Sequence, residues 1–168
     1  MKKILFLLFI TIAFSSCEKD DICVDETTPR LILEFFDVSN PTIPKNVVNL
    51  KVKGVNQALD LGVFTGVSKV ELPLDIAHDT AKYSLIFNSA GTAIPNEDFL
   101  EFNYTRHDVF VSRACGFKTI FTLNPSPNGV IVIDSATPGP GFWIQQDNIS
   151  IITTNIETEN ETHIKIYF

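Results

Sequence analysis

Few side chains in this sequence could do chemistry. His78, His107 and His163 are the three histidines, and no two of them stand close together in the chain. Neither HExxH nor CxxC occurs, so no zinc site is legible. GxSxG is also absent. Ser112 follows His107 and Asp108 closely, but neighbours along a strand point to opposite faces, which argues against a triad. The densest polar group is Arg106-His107-Asp108 with Arg113. A guanidinium fork suits a carboxylate or other anion, which makes Arg106 and Arg113 candidate ligand-binding residues. The structural alternative is an ion-pair network at a strand end, with Arg106 and Asp108 on one face. Trp143, among Phe142, Gln145 and Gln146, could stack on a sugar ring that the amides then bind; it could equally be a core residue. Asn96-Glu97-Asp98 lacks the ligand spacing of a calcium loop and reads as solvated. No catalytic residue, metal or cofactor is expected, and the chain reads as a non-enzyme.

The cysteines carry more information. Met1-Lys2-Lys3 and the apolar run at residues 4–14 form a charged start and a short hydrophobic centre. At 11 residues the run falls well short of the roughly 20 needed to span a bilayer, so it reads as a secretory signal. Phe14-Ser15-Ser16-Cys17 resembles a bacterial lipoprotein cleavage site. That resemblance implies that residues 1–16 are removed and that Cys17 becomes an acylated N-terminus, carrying lipid of the palmitate type. Lys19-Asp20-Asp21 resembles the lysine-plus-acidic signal that sends lipoproteins of the Bacteroidetes phylum to the cell surface; the alternative is a plain acidic tether. Cys23 and Cys115 remain in a compartment that permits disulfides, either bridged or as two separate thiols.

Charge narrows the partners. The formal net charge of −7 becomes −9 when Lys2 and Lys3 leave with the leader. Such a chain has no basic patch for nucleic acid. Asp79-Thr80-Ala81 and Asp134-Ser135-Ala136 resemble the Asp-Ser/Thr-apolar sites of Bacteroidetes O-glycosylation, which makes Thr80 and Ser135 candidate glycan acceptors.

These residues must be positioned by strands, since helical period is nowhere evident. Short runs rich in branched and aromatic residues occur at 30–36, 47–52, 69–74, 82–87, 99–105, 107–114, 117–123, 130–133, 142–145, 149–154 and 163–168. Val48, Leu50 and Val52 are expected to face the core. Asn40-Pro41 and Ile43-Pro44 are expected to frame a loop. Pro73 marks 69–74 as an edge strand. A bulge is expected near Arg106-His107, and Asn124-Pro125-Ser126-Pro127-Asn128-Gly129 is a turn. His163 alternates with Lys165 and Tyr167 and is expected to face solvent. About nine or ten strands with frequent turns predict an all-β single antiparallel β-sandwich, Ig-like or related, with a small β-barrel as the alternative. The organisation expected is a signal peptide at 1–16, an acylated acidic tether at 17–29 and a sandwich domain at 30–168.

Over nearly the whole chain the blocks CEKDDIC, TPRLILEFFD, NEDFLEFNYTRHDVFVSRACGFKTIF and ENETHIKIYF resemble an uncharacterised family of short Bacteroidetes lipoproteins, a domain of unknown function. The resemblance implies an envelope location and supplies no site residues. The reading is therefore an outer-membrane lipoprotein, lipid-anchored and facing the exterior. Its non-catalytic module would bind a protein or glycan partner at the cell surface. A small hydrolase of envelope or extracellular polymers is the alternative.

Overall fold

The computed structural model describes residues 22–23, 27–56, 59–135 and 141–168. Its strands in chain order are β1 (Leu31–Asp37), β2 (Asn40–Pro44), β3 (Leu50–Gly54), β4 (Asp60–Phe64), β5 (Lys69–Leu72), β6 (Thr80–Phe87), β7 (Asn96–Ser112), β8 (Gly116–Leu123), β9 (Val130–Asp134), β10 (Ile149–Ile151), β11 (Asn155–Ile156) and β12 (Ile164–Tyr167). A 3-10 turn, Gln146–Asn148, precedes β10.

Two sheets pack face to face. The five-stranded sheet runs β10-β12-β1-β2, with β5 also on β1. The seven-stranded sheet runs β11-β8-β7-β6-β3-β4, with β9 also on β7. Neither sheet closes on itself, so the architecture is the expected sandwich and the barrel alternative falls. The two sheets meet through Leu31, Leu33, Phe35, Leu72, Ile164 and Ile166 on one side and Leu50, Val52, Tyr83, Leu100, Phe102 and Phe121 on the other. Burying each such side chain contributes about 1.5–3 kcal/mol.

β1 explains its own sequence. It pairs parallel with β12 on one edge and antiparallel with β5 and then β2 on the other. Ile32 and Phe36, on its outer face, are also buried. A strand covered on both faces reads as a continuous apolar run, as Leu31-Ile32-Leu33 does. The parallel pair is a departure from the all-antiparallel expectation. β5 pairs with β1 alone, the edge position that Pro73 foretold.

Several expectations are corrected. Residues 40–44, expected as a loop, form β2; only Asn40 and Pro44 register with β1, and proline is tolerated on such an edge. Val48 is half exposed, whereas Val47 is buried and bridges Val67. Asn49 sits at φ 50°, which shifts the alternation by one before Leu50. Its left-handed turn is held by a bond from its side-chain amide to the Ala90 carbonyl at 2.7 Å. β7 runs unbroken through Arg106 and His107, which register with Phe121 and Ile120; the irregularity lies between Phe110 and Ser112. Residues 142–145 are not a strand, because the Trp143 and Ile144 amides bond to a carboxylate instead of a neighbouring chain. The run expected at 149–154 is a strand only as far as Ile151, and β11, which starts after it at Asn155, belongs to the other sheet.

The 124–129 turn separates β8 from β9, both of which lie antiparallel to β7, and contains the cis Ser126-Pro127 bond. A Cβ at Gly129 would overlap the Asn124 carbonyl oxygen, so only glycine fits there.

Candidate functional site

Cys17, Lys19, Asp20 and Asp21 lie outside the described residues. Cys23 and Cys115 form a disulfide, with Cα atoms 4.8 Å apart and 92 residues between them in sequence. β7 and β8 bring Cys115 to the tip of a long hairpin, and Thr28 meets β8 further from that tip. There the Thr28 hydroxyl accepts the Thr119 amide hydrogen at 3.0 Å. A cleft of about 270 Å³ beside the bridge is lined by Val111 and Phe117 among others.

Arg106 and Arg113 do not converge. Arg113 is exposed in the hairpin turn, seven residues along from Arg106, which corresponds to roughly 23 Å of strand. The Arg106 Nε donates to Asp79 Oδ1 at 2.7 Å and another guanidinium nitrogen donates to the Ile76 carbonyl. Bonding to Asp79 raises the Arg106 pKa above its ordinary value. Asp108 instead accepts the Thr119 hydroxyl at 2.7 Å. The ion pair is structural, as the alternative reading had it, but its partner is Asp79 and not Asp108. A polar cleft of about 400 Å³ remains beside it, lined by Asp79, Thr105, Arg106 and Asp108.

Trp143 is an architectural residue. Its ring lies 5.1 Å from Phe87 and 6.4 Å from Phe35 in stacked arrangements, and 5.6 Å edge-on to Phe168. Its indole nitrogen donates to the Leu85 carbonyl at 3.2 Å. Lys45 covers the far side of Phe168, 4.3 Å from the ring centre. A ring packed against three aromatic neighbours, with its one donor taken, is poorly placed to serve as a sugar platform.

Thr80 is exposed as the first residue of β6, and Ser135 is half-buried just after β9. They serve different strands, and no geometry links them to one site.

Two buried polar groups escaped the sequence. Asp98, expected among solvated carboxylates, is fully buried, and its Oδ2 accepts the amide hydrogens of Trp143 and Ile144 at 2.8 and 2.7 Å. Burial raises its pKa, those two hydrogen bonds oppose the rise, and Asp134 across the strand adds to it. A signal was present: Asp98 shares parity with Leu100, Phe102 and Tyr104, which face the core. His163, expected in solvent, is also fully buried. It precedes β12, so strand parity does not govern it. Its Nδ1 accepts the Ile32 amide hydrogen at 2.9 Å and its own amide donates to the Ile32 carbonyl at 3.1 Å. Burial lowers its pKa, with Glu161 and the Thr158 main chain acting against that shift.

A further cluster had no sequence signal at all. Arg30 donates to Glu159 through Nε at 2.8 Å and pairs with Glu71, at a cleft of about 570 Å³. The hydrogen bond to Glu159 raises the arginine pKa, and the same contact lowers that of Glu159. The tyrosine hydroxyls are likewise engaged. Tyr83 donates to the Pro73 carbonyl and Tyr104 to the Asp75 carbonyl at 2.9 Å, pinning the segment after β5 onto the opposite sheet. Burial pushes the Tyr104 pKa up to about 12. Among the described residues no group of three or more histidine, cysteine or acidic side chains is arranged to hold a metal ion.

Comparison with known proteins yields one family, described as "Family of unknown function (DUF6452)", which matches residues 49–168. Neither a curated protein nor a solved structure matches the chain.

Proposed function

The chain belongs to this family of unknown function, and on that premise we propose that it is an exported, lipid-anchored envelope protein whose β-sandwich is a non-catalytic binding or accessory module, displayed at the cell surface. The observation that carries the reading is the Cys23–Cys115 disulfide, formed six residues after the candidate acylation site Cys17. Structural disulfides persist in oxidising compartments, which accords with export. Several polar side chains that could do chemistry are engaged in architecture: Arg106 with Asp79, Arg30 with Glu71 and Glu159, His163 with Ile32, Asp98 with two backbone amides. This supports a module that presents a surface rather than one that turns over a substrate. Because the Trp143 ring packs against Phe35, Phe87 and Phe168 and its indole nitrogen donates to the Leu85 carbonyl, a protein partner suits the module better than a glycan.

Growth with labelled palmitate tests the anchor. The wild-type chain should take up label and Cys17→Ser should not; equal labelling of the two sinks the lipoprotein reading. Neutral replacement of Lys19, Asp20 and Asp21 should leave labelling intact and reduce digestion by protease added to whole cells. Unchanged digestion removes the surface signal. Natively acylated protein should copurify with a stoichiometric envelope partner. Hydrolysis of an envelope polymer by the isolated protein would replace the module with an enzyme.

A further inference from the structure

β7 is longer than the sandwich can cover. Its inward side chains are buried as far as Tyr104, and β6 stops pairing with it at Asn103. On the other side β11 reaches β8 only at Phe121 and Thr122. Beyond these points residues 107–112 and 116–120 pair, among the described strands, with each other alone, and none of them is buried. A two-stranded ribbon by itself is marginal in water. This one is fastened at its far end by the Cys23–Cys115 bridge and along its side by Thr28.

The tip is apolar and carries an exposed arginine. Phe110 and Phe117 face each other across the strands, their rings 5.4 Å apart and edge-on, yet they are 56% and 70% exposed. Ile22, beside the bridge, is 79% exposed. Arg113 is exposed in the turn between the two strands, in a chain of net charge −7, whereas the Lys118 ammonium donates to the Glu157 carbonyl.

We propose that this hairpin tip rests on the lipid surface, with Phe110 and Phe117 in the headgroup region of the leaflet that holds the acyl chains. The proposal rests on acylation of Cys17. Six residues separate Cys17 from Cys23, and a fully extended chain of that length spans about 21 Å. The disulfide passes this leash directly to Cys115, so an anchored Cys17 keeps the tip within reach of the bilayer whatever path the leash takes. Exposed aromatic rings, with the exposed Arg113 in the same hairpin turn, match the boundary between acyl chains and anionic headgroups. The arm then works as a spacer. From His107 to Ser112 it is roughly 17 Å long, so the sandwich stands clear of the membrane with the opposite end of β7 outward.

Ile94, just before the start of β7 and 77% exposed, marks that opposite end, about 50 Å along the strand from the tip. The full chain, labelled with palmitate in cells, is reconstituted into phosphatidylethanolamine–phosphatidylglycerol vesicles with or without brominated acyl chains. Phe117→Trp and Ile94→Trp are each compared with wild type, whose Trp143 supplies the baseline. The added emission of Phe117→Trp should fall at least twofold with brominated lipid, and Phe110→Trp should repeat it, whereas that of Ile94→Trp should not change. Labelled protein whose Phe117→Trp emission is quenched no more than that of Ile94→Trp overturns the membrane contact and leaves the anchor standing. The same lack of quenching in a chain that sediments as a dimer overturns it too, assigning the aromatic pair to a second copy. Protein without palmitate removes the anchor and the contact together.

Discussion

Replacing Asp98 asks whether a buried carboxylate, rather than a strand neighbour, holds residues 141–145. The side chain is fully buried, its Oδ2 receives the Trp143 and Ile144 amide hydrogens, and its Oδ1 makes no hydrogen bond. Asp98→Ala removes the acceptor and leaves two backbone donors in a site closed to water. Each stranded donor costs about 1–3 kcal/mol, and relief from burying a charge offsets part of that, giving a net loss of about 2–4 kcal/mol. With a urea slope of about 1–3 kcal/mol per molar, the unfolding midpoint should drop by about 1–2 M. Asp98→Asn keeps one carbonyl oxygen for both amides and turns its NH2 toward Asp134. It should lie within about 1 kcal/mol of wild type at pH 7. The pH dependence has a definite sign. Because the folded pKa is raised, the folded protein holds the proton more tightly than the unfolded chain. That stabilisation is complete below the unfolded pKa near 4 and is lost as pH rises through the folded value. Wild type should therefore gain on Asp98→Asn as pH drops from 7 toward 4. Urea titrations of the three proteins at both ends of that range, followed by circular dichroism, decide the matter. An Asp98→Ala midpoint within about 0.2 M of wild type would refute the reasoning. So would an Asn variant as unstable as the Ala variant.

His163→Ala should cost about 2–4 kcal/mol, since it empties a packed site and strands the Ile32 amide, whereas His163→Asn, with an oxygen near the Nδ1 position, should recover part of this. The folded pKa of His163 is lowered, so stability should decline as pH falls from about 6.5 toward the folded value, opposite to the Asp98 effect; both variants should lose that slope, and urea midpoints at pH 5.5 and 7 measure it. Reducing the disulfide, or replacing both cysteines with serine, should cost at most about 4–5 kcal/mol for a separation of 92 residues while leaving the β-rich circular dichroism intact, because the bridge lies outside the core. Mass analysis without reductant should find the Cys23 and Cys115 peptides linked; two freely alkylated thiols in envelope-derived protein would contradict the bridge.

Much of the fold was legible because strand alternation is a local property. Leu100, Phe102 and Tyr104 against Glu101 and Asn103 place one face of β7 on the core without reference to anything distant. Pro73 declares an edge because its nitrogen lacks a hydrogen. The turn at 124–129 is written in its prolines, asparagines and glycine. The candidate site was less legible. Arg106 was identified as half of an ion pair, but its partner, Asp79, is 27 residues away in sequence. Asp98 carried a parity signal that its acidic neighbours masked, and His163 was misread because β12 begins one residue later.

By itself, then, the sequence determined the fold class and most strand positions. Tertiary structure alone decided which strands are neighbours, that β1 and β12 run parallel, and that Cys115 meets Cys23. It also decided that the last third of β7 and the facing part of β8 extend past the sandwich as an arm. The reason is physical. A two-residue period is set by the backbone of each strand, whereas partner choice, burial of a lone polar group and the length of sheet left uncovered depend on contacts between residues far apart in the chain.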